Sequence, residues 1–265
     1  MRAIDYTKKL KERLIIEFKR QDRSGIYGYM QRSMAYNSNK IEGSTLTEKQ
    51  TASIFETGTL YSDNPDDIFR TKDIEEMTGH FKMFNYMLQH MDEMISDDMI
   101  KAMHRNLKEG VFEDIANGYA IGDYKKRANR VSDIITALPN EVPNQINQLV
   151  QEHQTKETVT IADIAEFHAR FENIHPFQDG NGRVGRMIIV QQCLQHNLVP
   201  VIIKDIHKVE YMRHLNLAQK QQQFDGLIDF FKKEQMDFMN ETLPLIFDYD
   251  QLEEINIDTS DSSSQ

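Results

Sequence analysis

The chain has 265 residues, with 42 acidic and 31 basic side chains, a formal net charge of −11, 39% hydrophobic residues and a single cysteine. That charge argues against general binding to nucleic acid, and one cysteine cannot form an internal disulfide. No apolar stretch approaches the roughly 20 residues of a membrane span, and no secretory signal is visible at the N-terminus, so we expect a cytoplasmic protein without a membrane partner.

The first 43 residues are predicted to form two helices. A first helix is predicted from residue 1 to about residue 24, within an N-terminal segment that covers residues 1–28, and a second short helix at about 29–43 ends at Gly43, in the position of a C-cap glycine. Glu42 falls in the last turn of the second helix, where the helix dipole disfavours a carboxylate unless a cation compensates. Ser38 lies one turn earlier, and we expect it to hydrogen-bond that carboxylate.

Three further helices are predicted before the middle of the chain. Their approximate ranges are 47–58, beginning with a threonine N-cap, 66–91, with Ile68 in its buried stripe, and 96–110, beginning with a serine N-cap. The histidines of these helices are predicted to pack or to be solvated rather than to bind a metal: His80, His90 and His104.

The helical period disappears between residues 118 and 143. Residues 128–131 and 134–137 are rich in strand formers and are separated by Ser132-Asp133, which predicts a short β-hairpin. Helical spacing returns after residue 143, and Thr160 is predicted to cap the helix that leads to His175.

The densest cluster of chemically useful residues is 174–186, Ile-His-Pro-Phe-Gln-Asp-Gly-Asn-Gly-Arg-Val-Gly-Arg. Pro176 ends the preceding helix, and the next helix is predicted to begin near Asn181. Glycines at a helix start let a ligand approach the backbone, and the free N–H groups there favour phosphate oxygens. Arg183 and Arg186 lie on the first turns, where cations are disfavoured unless an anion is nearby. The segment therefore predicts a polyphosphate site.

The pattern His-x-Phe-x-Asp-Gly-Asn-Gly-Arg-x-x-Arg at 175–186 resembles the signature of the Fic domain, a family of enzymes that transfer AMP from ATP to protein hydroxyl groups. The resemblance covers about residues 30–235 and implies an all-α helical bundle with a small β-hairpin flap. It implies that His175 is the general base, with Asn181 and Arg183 also in the catalytic set, and that Asp179 holds Mg²⁺. The nucleotide-binding residues that it implies are Phe177, Gly180, Asn181, Gly182, Arg183, Arg186 and Tyr211, the last stacking on the base.

Residues 38–43, Ser-Asn-Lys-Ile-Glu-Gly, resemble the inhibitory motif of Fic proteins whose inhibitory helix is N-terminal. The resemblance implies an inhibitory role for Ser38, Glu42 and Gly43, in which Glu42 reaches Arg186 and takes the place of the ATP γ-phosphate. The alternative interpretation is an ordinary surface glutamate before a capping glycine.

Gly122-Asp123-Tyr124-Lys125 resembles the segment that precedes the flap in Fic proteins, with lysine where arginine is usual. By this resemblance the Fic domain covers 29–247, the flap about 122–138, and 248–265 is a flexible tail. The flap edge would hold an extended target peptide by strand addition. A solvated basic turn is the alternative interpretation of the charges at Lys125, Lys126, Arg127 and Arg130.

Together these features predict an autoinhibited adenylyltransferase that uses ATP and Mg²⁺ to modify a Ser, Thr or Tyr hydroxyl of a protein, this protein itself included. A hydrolase that removes AMP from a modified protein, with Glu42 positioning the water, is a second hypothesis. A nucleotide-sensing binding module without turnover is the third. The target, the nucleotide preference and a homodimer stay open at this point.

Overall fold

The computed structural model describes residues 3–62, 64, 66–131 and 134–247, and its regular structure is almost entirely α-helical. The predicted tail and the Ser132-Asp133 turn lie outside the described residues. The elements are α1 (Ala3–Arg20), α2 (Ile26–Ile41), α3 (Glu48–Thr57), α4 (Thr71–Gln89), α5 (Asp97–Lys108), α6 (Phe112–Ala116), β1 (Arg130–Val131), β2 (Ile134–Ile135), α7 (Val142–Gln154), α8 (Ile161–Ile174), α9 (Asn181–Gln195), a 3₁₀ turn (Asp205–His207), α10 (Lys208–Gln221) and α11 (Asp225–Ile246).

Local capping explains where several helices begin and end. Thr47 and Thr160 each form a capping box, in which the threonine hydroxyl accepts from the N3 amide and the N3 side chain accepts from the threonine amide. The Ser96 hydroxyl accepts from the Met99 amide at the start of α5. Gly43 has φ 92, a left-handed conformation that glycine adopts without strain, and it ends α2. These boundaries confirm the predicted caps.

Three predicted boundaries are wrong. Helix α2 begins at Ile26, three residues before its predicted start at 29. Helix α1 ends at Arg20 rather than near residue 24, and α4 begins at Thr71, five residues later than predicted from Asp66. Ile68 consequently lies in an irregular segment and is 94% exposed. The reason lies outside the segment, because the Arg70 guanidinium binds the Gly43 carbonyl oxygen at 2.6 Å and so ties this connection across the end of α2.

Helix α9 lies at the centre of the molecule. Nearly all of its residues are buried, and it contacts α2, α4, α5 and α8. A larger apolar core joins α1, α2, α4, α5 and α7 on one side, and a smaller one joins α8, α10 and α11 on the other. The start of α9 therefore meets four helices at once. Within the described residues, no helix combines the length and the apolar character that crossing a bilayer requires.

The hairpin is present but shorter than predicted. Strands β1 and β2 pair antiparallel, with Arg130 opposite Ile135 and Val131 opposite Ile134. Two residues a side make a small β element in an otherwise helical fold, as the fold class predicted.

Candidate active site

His175 stands at the junction between α8 and the glycine-rich loop. It has φ 52, a left-handed conformation just before Pro176, and its side chain is 18% exposed. Its Nδ1 lies 3.3 Å from the Glu172 carbonyl oxygen, and in the tautomer that donates this hydrogen bond Nε2 keeps a free lone pair. Burial lowers the pKa of His175 to about 4. The imidazole is therefore neutral at pH 7 and chemically able to accept a proton.

The loop that follows is held from within. Asn181 Oδ1 accepts from the Phe177 amide at 2.8 Å, and Asn181 Nδ2 donates to the Phe177 carbonyl at 2.9 Å. The Phe177 ring is fully buried and stacks on His104 at a centroid distance of 3.9 Å. Since Asn181 is 2% exposed, a nucleotide would meet these two residues through main-chain groups rather than through their side chains.

Asp179 lies among three cations. Its oxygens are 2.8 Å from Lys108 Nζ, 3.5 Å from Lys72 Nζ and 3.3 Å from an Arg183 nitrogen. Burial alone would raise its pKa, but the charges of Arg183 and Lys108 hold the pKa well below the ordinary value. The carboxylate is ionised and its side chain is 34% exposed. One such carboxylate fits Mg²⁺, which commonly takes one or two carboxylates and completes its shell with waters and substrate phosphates.

A buried charge network lies beneath Asp179 and was not predicted. Lys108 Nζ is 2.5 Å from Glu76 and 2.6 Å from Asp114, and Glu76 is also 2.5 Å from Arg183. All these side chains except Asp179 are less than 10% exposed. The available sequence signal was a charge at an inward position: Glu76 and Lys108 fall on the apolar faces of α4 and α5, where an ion is costly unless paired.

Arg186 is held by the end of α2. Its Nε donates to the Ser38 hydroxyl at 2.9 Å, and its Nη2 contacts the Ser38 carbonyl at 3.0 Å and Glu42 Oε1 at 2.6 Å. The predicted contact between Glu42 and Arg186 is present. The predicted bond from Ser38 to Glu42 is wrong, because the arginine, with several donors, recruits both residues as acceptors.

Glu42 is accessible although its carboxylate is charged. Burial would raise its pKa, but Arg186 and Arg183 outweigh burial and lower the pKa below the ordinary value. Its side chain is 37% exposed. A Cβ built on Gly182 would overlap Glu42 Oε1, so the glycine of the motif leaves the space that this carboxylate occupies.

Tyr211 does not present a ring face to the site. It is 1% exposed, and its hydroxyl lies 2.7 Å from His168 Nε2 in the smaller core. That burial contradicts the predicted stacking on a base. From sequence a core tyrosine and a stacking tyrosine look alike, because both occupy an inward helical position.

The segment before the hairpin docks on the motif. The Lys125 amide donates to the Pro176 carbonyl at 2.9 Å. Lys125 is only 2% exposed. Its Nζ donates to Asn129 Oδ1 at 2.7 Å, to Thr136 Oγ1 at 2.9 Å and to the Ile174 carbonyl oxygen at 3.3 Å. Burial lowers the pKa of Lys125 to about 8. This lysine thus ties the hairpin to the end of α8 and is not part of a solvated turn.

Comparison with known proteins agrees with this geometry. Residues 94–193 match the family model described as the Fic/DOC family. A protein adenylyltransferase Fic of Nematostella vectensis is 28% identical over 186 residues, which cover 69% of this chain and 42% of that protein. A probable protein adenylyltransferase of Aquifex aeolicus is 30% identical over 130 residues, covering 49% and 38%. The chain therefore spans less than half the length of these relatives.

Solved structures show the same fold. A Fic domain-containing signaling protein from Bacteroides thetaiotaomicron superposes with a TM-score of 0.67 at 22% identity, over 92% of this chain and 93% of that one. Residues 134–508 of Fic-1 from Caenorhabditis elegans give a TM-score of 0.67 at 19% identity, over 89% and 72%. Residues 94–193 therefore form a Fic/DOC-family domain, within a helical architecture that the chain shares with these solved structures.

Proposed function

We propose that the protein is an autoinhibited adenylyltransferase, which transfers AMP from ATP to a Ser, Thr or Tyr hydroxyl of a protein, itself included. The contact between Glu42 and Arg186 carries the proposal. It places a displaceable acid on a motif arginine, close enough to a neutral His175 that Glu42 affects the pKa of that histidine.

In the proposed transfer, His175 Nε2 accepts the proton of the target hydroxyl. The hydroxyl oxygen bonds to the α-phosphorus of ATP, the bond from that phosphorus to the oxygen leading to the β-phosphate breaks, and pyrophosphate leaves. A positioned base contributes typically ~10²–10⁴ in rate. Arg183 and the N–H groups at the start of α9 supply fixed positive charge where negative charge develops.

Asp179 is the residue that would hold Mg²⁺, whose chemical contribution is to neutralise charge on the phosphate oxygens. The chain prepares that carboxylate by keeping it ionised and by holding it with Lys108 from below. Lys72 Nζ lies 3.5 Å from the Asp179 carboxylate and its side chain is 31% exposed, so Lys72 is the lysine that could move aside for the ion.

Inhibition follows from competition for one guanidinium. Glu42 satisfies the Arg186 donor that a γ-phosphate would need, so ATP binds productively only after Glu42 leaves. A coupling of this kind is typically worth 1–3 kcal/mol, or roughly 5–150-fold.

The test incubates the protein, Glu42→Gly and the double variant Glu42→Gly/His175→Ala with Mg²⁺ and ATP labelled at the α-phosphate. We expect protein labelling to rise in Glu42→Gly and to vanish in the double variant. Glu56→Gly is a matched control, because Glu56 also lies in the last turn of a helix that ends at a glycine. Labelling that is absent from every variant, or that is indifferent to His175, contradicts the proposal.

The same contact supports one other activity. An ionised Glu42, whose charge raises the pKa of His175, could position a water for removal of AMP from a modified protein. That activity reverses the outcome, since Glu42→Gly would then abolish AMP release instead of raising AMP transfer. Thermal stabilisation by ATP without turnover of either kind would indicate a nucleotide-sensing module.

A further inference from the structure

A buried acid lies behind His175. Glu172 is on the last turn of α8, three residues before the histidine, and it is 7% exposed. Its Oε2 lies 3.8 Å from His175 Nδ1, on the opposite side of the ring from the nitrogen that would accept a proton. The proposed transfer reaction gives this carboxyl group no role, and the Fic motif at 175–186 does not include Glu172.

Its neighbours confine the carboxyl group. A Cβ built on Gly185 would overlap Glu172 Oε1 and would lie 3.1 Å from His168 Cε1 and 3.2 Å from His168 Nδ1. Among the described residues, Glu172 Oε1 has no hydrogen-bond partner. The other nitrogen of His168 is anchored 2.7 Å from the Tyr211 hydroxyl. Hence α9 and His168 close the far side of the carboxyl group, and Oε2 faces His175.

This arrangement matters when the imidazole becomes charged. A base that accepts a proton at Nε2 turns into an imidazolium, and a negative group near Nδ1 stabilises it. We propose that Glu172 is a positioning residue for His175. The Glu172 carbonyl oxygen fixes the imidazole ring of His175, and the Glu172 carboxyl group stabilises the imidazolium. The inference rests on the proposed function, in which His175 is the base.

The charge on Glu172 depends on its surroundings. The groups that face it are Arg186 on α9, Glu42 at the end of α2, His168 on α8 and His175 directly after α8, with Tyr211 behind His168. Burial raises the pKa of Glu172 to about 8, Arg186 opposes this rise and Glu42 adds to it. Removing Glu42 therefore makes Glu172 ionise more readily, so its effect on His175 should be largest in the variant without the inhibitory acid.

The kinetic test compares Glu42→Gly with Glu42→Gly/Glu172→Gln. Glutamine keeps the shape of the side chain but cannot become negative. We expect kcat for AMP transfer to fall roughly 10- to 100-fold, with KM for ATP within about twofold. The ratio of the two rates should grow as pH rises towards 8 and should be small at pH 6. Glu166→Gln is the matched control, since Glu166 lies on the same helix with its side chain 45% exposed. Equal kcat values and parallel pH profiles, at unchanged melting temperature, would overturn the proposal.

An NMR titration separates this inference from the proposed function, because it needs no turnover. The Cε1–H resonance of His175, assigned by its loss in His175→Ala, should show a step near pH 8 that disappears in Glu172→Gln. The titration uses a Lys125→Arg background, since the pKa of Lys125 also lies at about 8 and its charge reaches His175. A step that survives Glu172→Gln rejects the inference, whereas loss of the step in a protein that never transfers AMP rejects only the proposed function.

Discussion

The two arginines of the motif lie three residues apart on α9 and are held in opposite ways. Arg183 is 2% exposed and is surrounded by Glu76 at 2.5 Å, Asp179 at 3.3 Å and the Asn39 side chain at 3.3 Å. Arg186 is 5% exposed, but its only acidic partner among the described residues is Glu42, whose side chain is 37% exposed. One guanidinium is locked inside the protein, and the other is bound by a group that solvent reaches.

The difference separates a structural charge from an exchangeable one. Breaking a buried ion pair leaves an uncompensated charge in a poorly solvated place, so the partners of Arg183 cannot be replaced cheaply. A half-exposed carboxylate can return to water, and an incoming anion can take its place. Under the proposed function, Arg183 is a fixed part of the site and Arg186 is the point at which the nucleotide and Glu42 compete.

Disrupting the buried charge network around Arg183 should have the largest effect on stability. Lys108→Met would leave the acids Glu76, Asp114 and Asp179 without their shared ammonium, and we expect the free energy of unfolding to fall by about 3–5 kcal/mol. Urea denaturation at pH 7 measures this change. Lys82→Met is the control, because its pair with Glu109 is about half exposed on both sides, and it should cost no more than about 1 kcal/mol. Similar losses in the two variants would mean that the network is not a buried unit.

Changing the acid at each arginine tests exchangeability directly. Glu42→Gln removes the charge that competes with a γ-phosphate, and we expect MgATP to bind roughly 5–150-fold more tightly by calorimetry. Glu76→Gln makes the same chemical change at Arg183 and should not tighten binding, because that acid lies inside the network. Tighter binding in both variants, or in neither, would remove the distinction between the two arginines.

The histidine beneath both arginines gives a pH-dependent test. His80 is fully buried, and burial together with Arg183 and Arg186 lowers its pKa to about 3, from about 6.5 unfolded. Between pH 6.5 and 3 the unfolded chain binds a proton that the folded chain excludes, so His80 costs about 1.4 kcal/mol of stability for each unit that pH falls. His80→Leu should lower the slope of unfolding free energy against pH by that amount, measured by denaturation from pH 6 to 4.

Phe84→Leu, one turn along the same helix and also buried, should leave that slope unchanged. The slope will not vanish in His80→Leu, because burial also lowers the pKa values of His104 and His168 to about 3. An unaltered slope would show that His80 carries a proton in the folded protein.

The smallest effect is expected at Ser38. Its hydroxyl accepts from Arg186 Nε, but its carbonyl and Glu42 also hold that guanidinium and remain in Ser38→Ala. Losing one such bond is worth about 1 kcal/mol, so AMP transfer should rise only about fivefold, well below the rise in Glu42→Gly. Labelling with α-labelled ATP measures both rates side by side. If Ser38→Ala matched Glu42→Gly, the serine rather than the acid would hold the inhibited state.

Short-range features were predictable from the sequence. The caps at Thr47, Ser96 and Thr160, the end of α2 at Gly43 and the start of α9 at Asn181 all agree with the structure. Each depends on residues within about four positions, so local hydrogen bonds and backbone preferences decide it. The contact between Glu42 and Arg186 spans 144 residues and was predicted through family resemblance and complementary charge rather than through local pattern.

Other long-range features were missed or misplaced. Lys108 binds partners that lie 32 and 71 residues away in the sequence, and no residue near Lys108 identifies those partners. Ile68 fits a helical stripe, yet the contact of Arg70 with the end of α2 keeps its segment out of α4. Ser38 is one helical turn from Glu42 but binds Arg186 instead. For the segment of Ile68 and for Ser38, a partner from another element outcompetes the local one.

The sequence by itself determined the helices, most of their ends and a loop of phosphate-binding character, because these follow from residues that are neighbours along the chain. Only the tertiary structure decided which charges are permanent and which are exchangeable. That property depends on how deeply a side chain is buried and on which distant acids surround it, and packing of four helices around the start of α9 sets both.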